Sequence, residues 1–128
     1  MPFSLPGNIV ALTFRRIRSL PHLARVMFLG AGVADALSWI LMLALLPKGR
    51  EGVFALRYNV YYGITGIGSA WYLLWIPFAG MLLLAVNMAL AVRGARSSEG
   101  VAMLVAGITL FLEVLLLIRS ITVFFLNI

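Results

Sequence analysis

Three long apolar runs constrain this chain more than any other feature of its sequence. They begin at residues 26, 70 and 101, and spans are expected at about 26–46, 70–92 and 101–124. A helix that crosses the hydrocarbon core of a bilayer needs roughly 20 apolar residues, and each run supplies them. Soluble domains are about half apolar and about a quarter charged, whereas this chain is 63% apolar and 11% charged. The sequence therefore predicts an all-α integral membrane protein, with a three-helix transmembrane domain at 26–128.

The distribution of basic residues predicts the orientation of these spans. Six of the ten Lys and Arg residues lie before the first span or between the second and third, and three lie in the loop at 47–69. Short loops rich in Lys and Arg stay in the cytoplasm. We therefore expect a multi-pass protein of the bacterial inner (plasma) membrane, with its N-terminus in the cytoplasm and its C-terminus outside. The net charge of +6 then reflects orientation, and no nucleic-acid partner is expected.

The N-terminal segment, residues 1–25, predicts an amphipathic helix in the plane of the cytoplasmic membrane surface. One helical face after Asn8 is mostly apolar and comprises Ile9, Val10, Thr13, Phe14, Ile17 and Leu20. Pro21 ends or kinks this helix before the first span. The basic residues expected to meet anionic head groups are Arg15, Arg16, Arg18 and Arg25. A cytoplasmic helix that packs on a partner protein is the alternative.

The external loop at 47–69 is rich in tyrosine and glycine. Its centre, residues 55–64, contains three tyrosines and two β-branched residues, and glycines lie on both sides, which favours an extended or re-entrant segment. The residues singled out in this loop are Arg57, Tyr58, Asn59, Tyr61, Tyr62 and Gly63. Together with Trp71, Tyr72 and Trp75, the tyrosines are typical of an aromatic belt at a membrane interface. A ligand-binding aromatic cage is the alternative.

Four features of the chain carry a resemblance to known membrane proteins: Leu46-Pro47, the stretch RYNVYYGI at 57–64, Pro77 and Asn87. The chain resembles a group of small bacterial three-helix membrane proteins without an established activity, which share an external H-Y-N-x-Y-F-G-I-like stretch. Arg57 stands where that stretch has histidine. More distantly, the chain is similar to the domain of unknown function of SdpI-type immunity and signalling membrane proteins. The resemblance implies the three-helix architecture and, through the second group, an immunity-like or signalling role.

Charged residues inside the spans are the strongest candidates for function, because a charge at the bilayer centre costs roughly 2.5–3.5 kcal/mol. Asp35 lies about 13 Å and Glu113 about 18 Å into their helices, at roughly 1.5 Å per residue, so facing helices would bring the two carboxyl groups together. The predicted intramembrane polar cluster comprises Asp35, Ser38, Asn87, Thr109, Glu113 and Arg119. Arg119 lies about 240° around the helix from Glu113, and we expect it to reach the outer interface or the external loop.

Two interpretations of the carboxyl groups remain open at this point. In the structural interpretation, they are protonated or hydrogen-bonded to Asn87, Ser38 and Thr109, and they hold the helices together. In the functional interpretation, Asp35 and Glu113 form a proton or cation relay. Because three helices alone rarely enclose a pathway, a relay would need an oligomer.

Enzymatic chemistry has little support in the sequence. His22 is the single histidine and the chain has no cysteine, so no nucleophile–base–acid set and no metal-ligand spacing can be assigned. We expect no enzyme activity, no cofactor and no metal. The sequence predicts a non-enzymatic accessory, immunity-like or signalling subunit that contacts a membrane-protein partner. A homo-oligomeric proton, cation or small-solute carrier that uses Asp35 and Glu113 is the alternative.

Overall fold

The computed structural model describes residues 7–46 and 54–128. In chain order, its elements are helix α1 (Gly7–Arg18), helix α2 (His22–Leu45), strand β1 (Phe54–Asn59), strand β2 (Gly63–Gly68), a 3-10 turn (Ala70–Leu74), helix α3 (Trp75–Gly94) and helix α4 (Glu99–Asn127). The first residues of the external loop, 47–53, lie outside the described residues, and so does Pro47 of the Leu-Pro pair.

Three helices are long and apolar enough to cross a membrane: α2, α3 together with most of its preceding 3-10 turn, and α4. They contain 24, 24 and 29 residues, which correspond to about 36, 36 and 43 Å at 1.5 Å per residue. The prediction of three helices that are long and apolar enough to span a membrane is confirmed for the described residues. The first of these long helices, α2, begins at His22, four residues before the predicted span. The reason is that the backbone of Pro21 is extended and helical geometry resumes directly after it.

The three long helices form one bundle in which α4 is the central element. The most extensive contacts join α2 to α4, followed by those between α3 and α4, while α2 and α3 contact each other less. Ser98 caps the start of α4, where its hydroxyl oxygen accepts a hydrogen bond of 3.2 Å from the backbone N–H of Gly100. Large apolar side chains such as Leu29, Leu104 and Phe111 remain exposed on the outer faces. Such faces are suited to lipid, because hydrocarbon chains solvate apolar side chains as well as a protein interior does.

Each end of the bundle is closed by a cluster of buried apolar side chains. The first cluster, which we call the alanine end, consists of Leu20, Ala24, Phe28, Ala91, Ala102 and Ala106. The second, the hairpin end, consists of Met42, Leu45, Leu73 and Val123. Four alanines at one end allow the helix backbones to approach closely, which is the usual way for membrane helices to gain contact area.

Residues 54–68 of the loop between α2 and α3 fold into a two-stranded antiparallel hairpin. Phe54 pairs with Gly68 at its base and Asn59 pairs with Gly63 next to the turn, with irregular register around Arg57. Gly63 has a φ of 73°, a left-handed conformation that favours glycine. Strand β1 also contacts α4, so the hairpin is anchored to the bundle at the hairpin end.

Candidate functional site

Four polar side chains are buried between the two apolar ends, in the middle of the helix bundle. We call these residues, Asp35 and Ser38 of α2 and Thr109 and Glu113 of α4, the polar centre. Asp35 is 6% exposed and Glu113 is fully buried. The two residues share one interface because α2 packs mainly on α4, and the spacing of each pair, three or four residues, places both of its members on one helix face. The polar centre is therefore built by two helices whose facing sides carry it.

Gly80 of α3 closes the polar centre from the third side. A Cβ atom at Gly80 would lie 2.5 Å from Oδ1 of Asp35 and 2.8 Å from Oε2 of Glu113. Both carboxyl groups therefore approach the same point on the backbone of α3, and a side chain at residue 80 would force their oxygens to shift. The sequence identified Asp35 and Glu113 but did not reveal this role of Gly80, whose only signal was its position one heptad before Asn87.

The carboxyl group of Glu113 lacks the hydrogen bonds that a buried carboxyl group normally makes. Within the described part of the chain, neither Oε1 nor Oε2 of Glu113 has a hydrogen-bond partner, and the same is true of the buried Ser38 hydroxyl. Trp39, which lies one turn beyond Asp35, donates a side-chain hydrogen bond to that carboxylate. Unsatisfied buried polar groups are rare in folded proteins because each costs about 1–3 kcal/mol. Glu113 and Ser38 are therefore the buried polar groups whose hydrogen-bonding capacity is unused among the described residues.

Asn87 donates its side-chain hydrogen bond to Thr109 and not to the carboxyl group of Asp35 or Glu113. Its side-chain amide donates to Thr109 Oγ1 over 2.9 Å, and Thr109 Oγ1 in turn donates to the carbonyl of Val105 over 2.7 Å. This pair links α3 to α4 one turn away from Glu113, on the side of the alanine end. The bonds from Asn87 and Thr109 that the structural interpretation assigned to the carboxyl groups are therefore not formed at Glu113.

Arg119 lies apart from the polar centre. Its side chain is exposed, whereas the next residue, Ser120, is buried and donates a hydrogen bond of 3.0 Å to the carbonyl of Leu116. The predicted cluster therefore loses Arg119 and retains the other five residues, with Asn87 on its edge. The physical reason is the angle of about 240° between Arg119 and Glu113 on one helix, which points the guanidinium away from the interface that buries Glu113.

An aromatic recess leads from the outer surface toward the polar centre at the hairpin end. It has a volume of about 370 Å³ and is lined by Trp39, Trp71, Leu74, Trp75 and Phe78. The rings of Trp75 and Phe78 meet edge to face, with centroids 5.5 Å apart. Trp39 both lines this recess and bonds to Asp35, so it joins the recess to the polar centre.

The hairpin projects its turn, which we call the hairpin tip, away from the bundle. Its three residues are almost fully exposed: Val60 is 82%, Tyr61 is 90% and Tyr62 is 83% accessible to solvent. The other residues predicted to matter in this loop, Arg57, Tyr58 and Asn59, belong to β1, and Gly63 begins β2. The structure thus divides the predicted loop motif into a paired stem and an exposed aromatic tip.

The predicted basic surface is formed by the end of α1 and the first turn of α2. Arg15, Arg16 and Arg18 lie in the last turn of α1, and they and Arg25 are exposed. The apolar residues Ile9 and Phe14 of the same helix are also exposed. Helix α1 therefore presents basic and apolar groups at its surface.

With this geometry described, the chain was compared with known proteins. No family model, curated protein or solved structure matches it.

The two carboxyl groups of the polar centre can share or exchange a proton. Two ionised carboxylates in apolar surroundings are costly unless positive charge compensates them. The oxygens of Asp35, Glu113 and Ser38 are of the type that hard cations such as Na⁺ or Ca²⁺ prefer. Among residues 7–46 and 54–128, no group of three or more His, Cys, Asp or Glu residues could hold a metal ion.

Proposed function

We propose that this protein is a small, non-enzymatic accessory subunit of the bacterial inner membrane that acts through contact with a membrane-protein partner. The observation that carries the proposal is the hairpin tip, where Val60, Tyr61 and Tyr62 are each more than four-fifths exposed. The tip is exposed, and its chemistry is that of a recognition surface.

The composition of the tip supports a protein partner. Turn residues are usually Gly, Pro, Asn, Asp or Ser, which suit tight backbone geometry and water. Here the turn carries one valine and two tyrosines. Tyrosine is enriched at protein interfaces because its ring supplies a large contact area at low entropic cost and its hydroxyl bonds to polar partners. Contiguous exposed apolar groups are a further mark of an interaction site.

The proposed orientation places this tip outside the cell membrane. Six of the ten basic residues lie before the first span or between the second and third, which puts the N-terminus in the cytoplasm and the C-terminus outside by the positive-inside rule. Helix α1 then lies on the cytoplasmic surface. The resemblance to SdpI-type proteins suggests an immunity-like or signalling role for the partner contact.

The test is whether the protein binds a partner at constant stoichiometry, and whether this binding requires the hairpin tip. The chain is purified from its own host in mild detergent, the mass of the complex is determined, and a photo-crosslinker is placed at Tyr62 or, as a control, at Phe125 on α4. We expect a partner of constant stoichiometry that crosslinks from Tyr62 and is lost from the double variant Tyr61→Ser, Tyr62→Ser. The matched control is Tyr72→Ser, which changes an exposed tyrosine outside the hairpin. A stable monomer without a partner would contradict the proposal.

A second candidate function is a homo-oligomeric carrier of protons, cations or small solutes, and the polar centre favours it. Asp35 and Glu113 converge on Gly80, and both Glu113 oxygens lack a hydrogen-bond partner among the described residues. Purely structural carboxyl groups would use those oxygens to bond neighbouring helices. An oligomer would supply the remaining walls of a pathway.

Flux measurements test this second function independently. The assembled protein is reconstituted into proteoliposomes, and proton and Na⁺ flux are followed for the parent, Asp35→Asn and Glu113→Gln. We expect flux from the parent oligomer and at least a tenfold loss in both variants. Glu99→Gln is the matched control, because Glu99 is an exposed carboxylate at the start of α4. Absence of flux from a verified oligomer would rule the carrier out.

A further inference from the structure

Helix α1 borders two grooves, and Ile17 of α1 and Met88 of α3 line both of them. Each groove has a volume of about 450 Å³. The first lies between α1, α2 and α3, and its only charged lining residue is Arg25. The second, which we call the α1–α3 groove, is lined by Thr13, Arg16, Ile17, Ala85, Met88, Ala89, Val92 and Arg93. Both grooves have an apolar floor, and they differ in charge.

The α1–α3 groove combines an apolar floor with two arginines from different helices. Arg16 lies in the last turn of α1 and Arg93 in the last turn of α3. Guanidinium groups bind phosphate in a bidentate, charge-assisted manner, and two of them converging from separate elements form a clamp for one phosphate. The stretch of α3 from Ala85 to Arg93 is about 12 Å long at 1.5 Å per residue, enough to contact the upper half of an acyl chain.

We propose that the α1–α3 groove binds one anionic phospholipid, with the phosphate between Arg16 and Arg93 and an acyl chain along Ala85 and Ala89. The inference rests on the proposed placement of α1 at the cytoplasmic membrane surface, where anionic lipids are available. Charge complementarity selects an anionic head group, and the apolar floor selects a lipid over a free phosphate or a nucleic acid. The neighbouring groove, with one arginine, serves as the internal comparison.

The experiment measures lipid binding to the full chain by native mass spectrometry from detergent micelles. The probes are phosphatidylglycerol, phosphatidylcholine with the same acyl chains, and inorganic phosphate. We expect one tightly bound phosphatidylglycerol per chain, at least tenfold weaker binding of phosphatidylcholine, and no displacement by millimolar inorganic phosphate. Equal binding of the two lipids, or ready displacement by phosphate, would overturn the proposal.

Matched arginine variants separate a specific site from general attraction. The double variant Arg16→Gln, Arg93→Gln is expected to weaken phosphatidylglycerol binding at least tenfold. Its control is Arg96→Gln, Arg119→Gln, which removes the same charge from two exposed arginines that do not line the groove and are not among those expected to meet anionic head groups. We expect less than a twofold change in this control. Equal loss in both double variants would show diffuse electrostatic attraction and would contradict a site.

A third variant tests the floor of the groove without changing charge. Ala89 is exposed on α3, so Ala89→Phe fills the groove and leaves the core of the bundle unchanged. We expect it to weaken phosphatidylglycerol binding about as much as the arginine double variant does. Unchanged binding would mean that no acyl chain lies on this floor.

The placement of α1 has its own measurement, which keeps the two proposals distinguishable. Because the chain contains no cysteine, Phe14→Cys can carry a polarity-sensitive dye at a single position. An apolar environment after reconstitution supports the placement, and an aqueous environment would overturn both the placement and the lipid site. Neither result bears on the partner contact of the hairpin tip, because the variants leave residues 60–62 unchanged.

Discussion

At the alanine end, the three long helices meet through Ala24, Ala91, Ala102 and Ala106, whereas in the middle of the bundle the same helices meet around two carboxyl groups. The alanines are fully buried, and they allow close contact between backbones. In the polar centre, the absence of a side chain at Gly80 leaves space for the oxygens of Asp35 and Glu113. The alanine end therefore packs the helix backbones closely, whereas the polar centre packs them less closely and holds polar groups.

This difference between the alanine end and the polar centre indicates which region stabilises the fold. Close packing of small residues is a main source of stability between membrane helices, and four fully buried alanines supply it at the alanine end. Among the described residues, the polar centre contains buried oxygens without a hydrogen-bond partner, and each such group costs about 1–3 kcal/mol. We infer that the ends hold the bundle together, and that the carboxyl groups serve a purpose other than stability.

The largest effect is expected from overfilling the alanine end. Ala106→Leu adds three carbon atoms at a fully buried position, and we expect it to lower the free energy of unfolding by about 3 kcal/mol, at the upper end for overpacked cores. The measurement is reversible unfolding in mixed micelles. Ala79→Leu, at an exposed position of α3, is the control and should change stability by less than about 0.5 kcal/mol. Equal effects would remove the distinction between core and surface.

A smaller loss is expected at the glycine that closes the polar centre. Gly80→Ala places a methyl group 2.5 Å from Oδ1 of Asp35, and we expect a loss of about 2 kcal/mol from the forced shift. The control is Gly32→Ala on α2, whose nearest atom would be Leu84 Cδ2 at an ordinary 3.9 Å. This control should be neutral or stabilising by up to about 1 kcal/mol, because alanine favours helix. A Gly80→Ala variant as stable as the Gly32→Ala variant would contradict the proposed close approach of the carboxyl groups to α3.

A still smaller loss is expected for the hydrogen bond on the edge of the polar centre. Thr109→Val removes the acceptor of the Asn87 amide, and interhelical bonds of this kind contribute about 0.6 kcal/mol on average in membranes. Thr122→Val is the matched control, since Thr122 is exposed and bonds only to the Ile118 carbonyl of its own helix. Double-mutant cycles with Asn87→Ala measure the coupling. A coupling above about 2 kcal/mol would make this pair a main support of the bundle.

The sequence predicted the spans and the depth of the carboxyl groups because both depend on residue counts along a helix. The three apolar runs and the overlapping depths of Asp35 and Glu113 required only helical rise. The role of Gly80 was not predictable, because it depends on how α3 is rotated against α2 and α4. The same limit applies to Asn87, whose distance to Thr109 follows from packing. Strand pairing in the hairpin also escaped sequence reasoning, because a single extended run does not fix its register.

The most direct test of the claim that the ends, and not the polar centre, hold the bundle is the stability of Glu113→Leu. Leucine has a similar volume and removes both unpartnered oxygens, and replacement of buried charged groups by apolar ones is often neutral or stabilising. The measurement is the free energy of unfolding of parent and variant in the same mixed micelles. We expect the variant to be at least as stable as the parent. A loss of about 2 kcal/mol or more would show that Glu113 holds the helices together, and would contradict the claim.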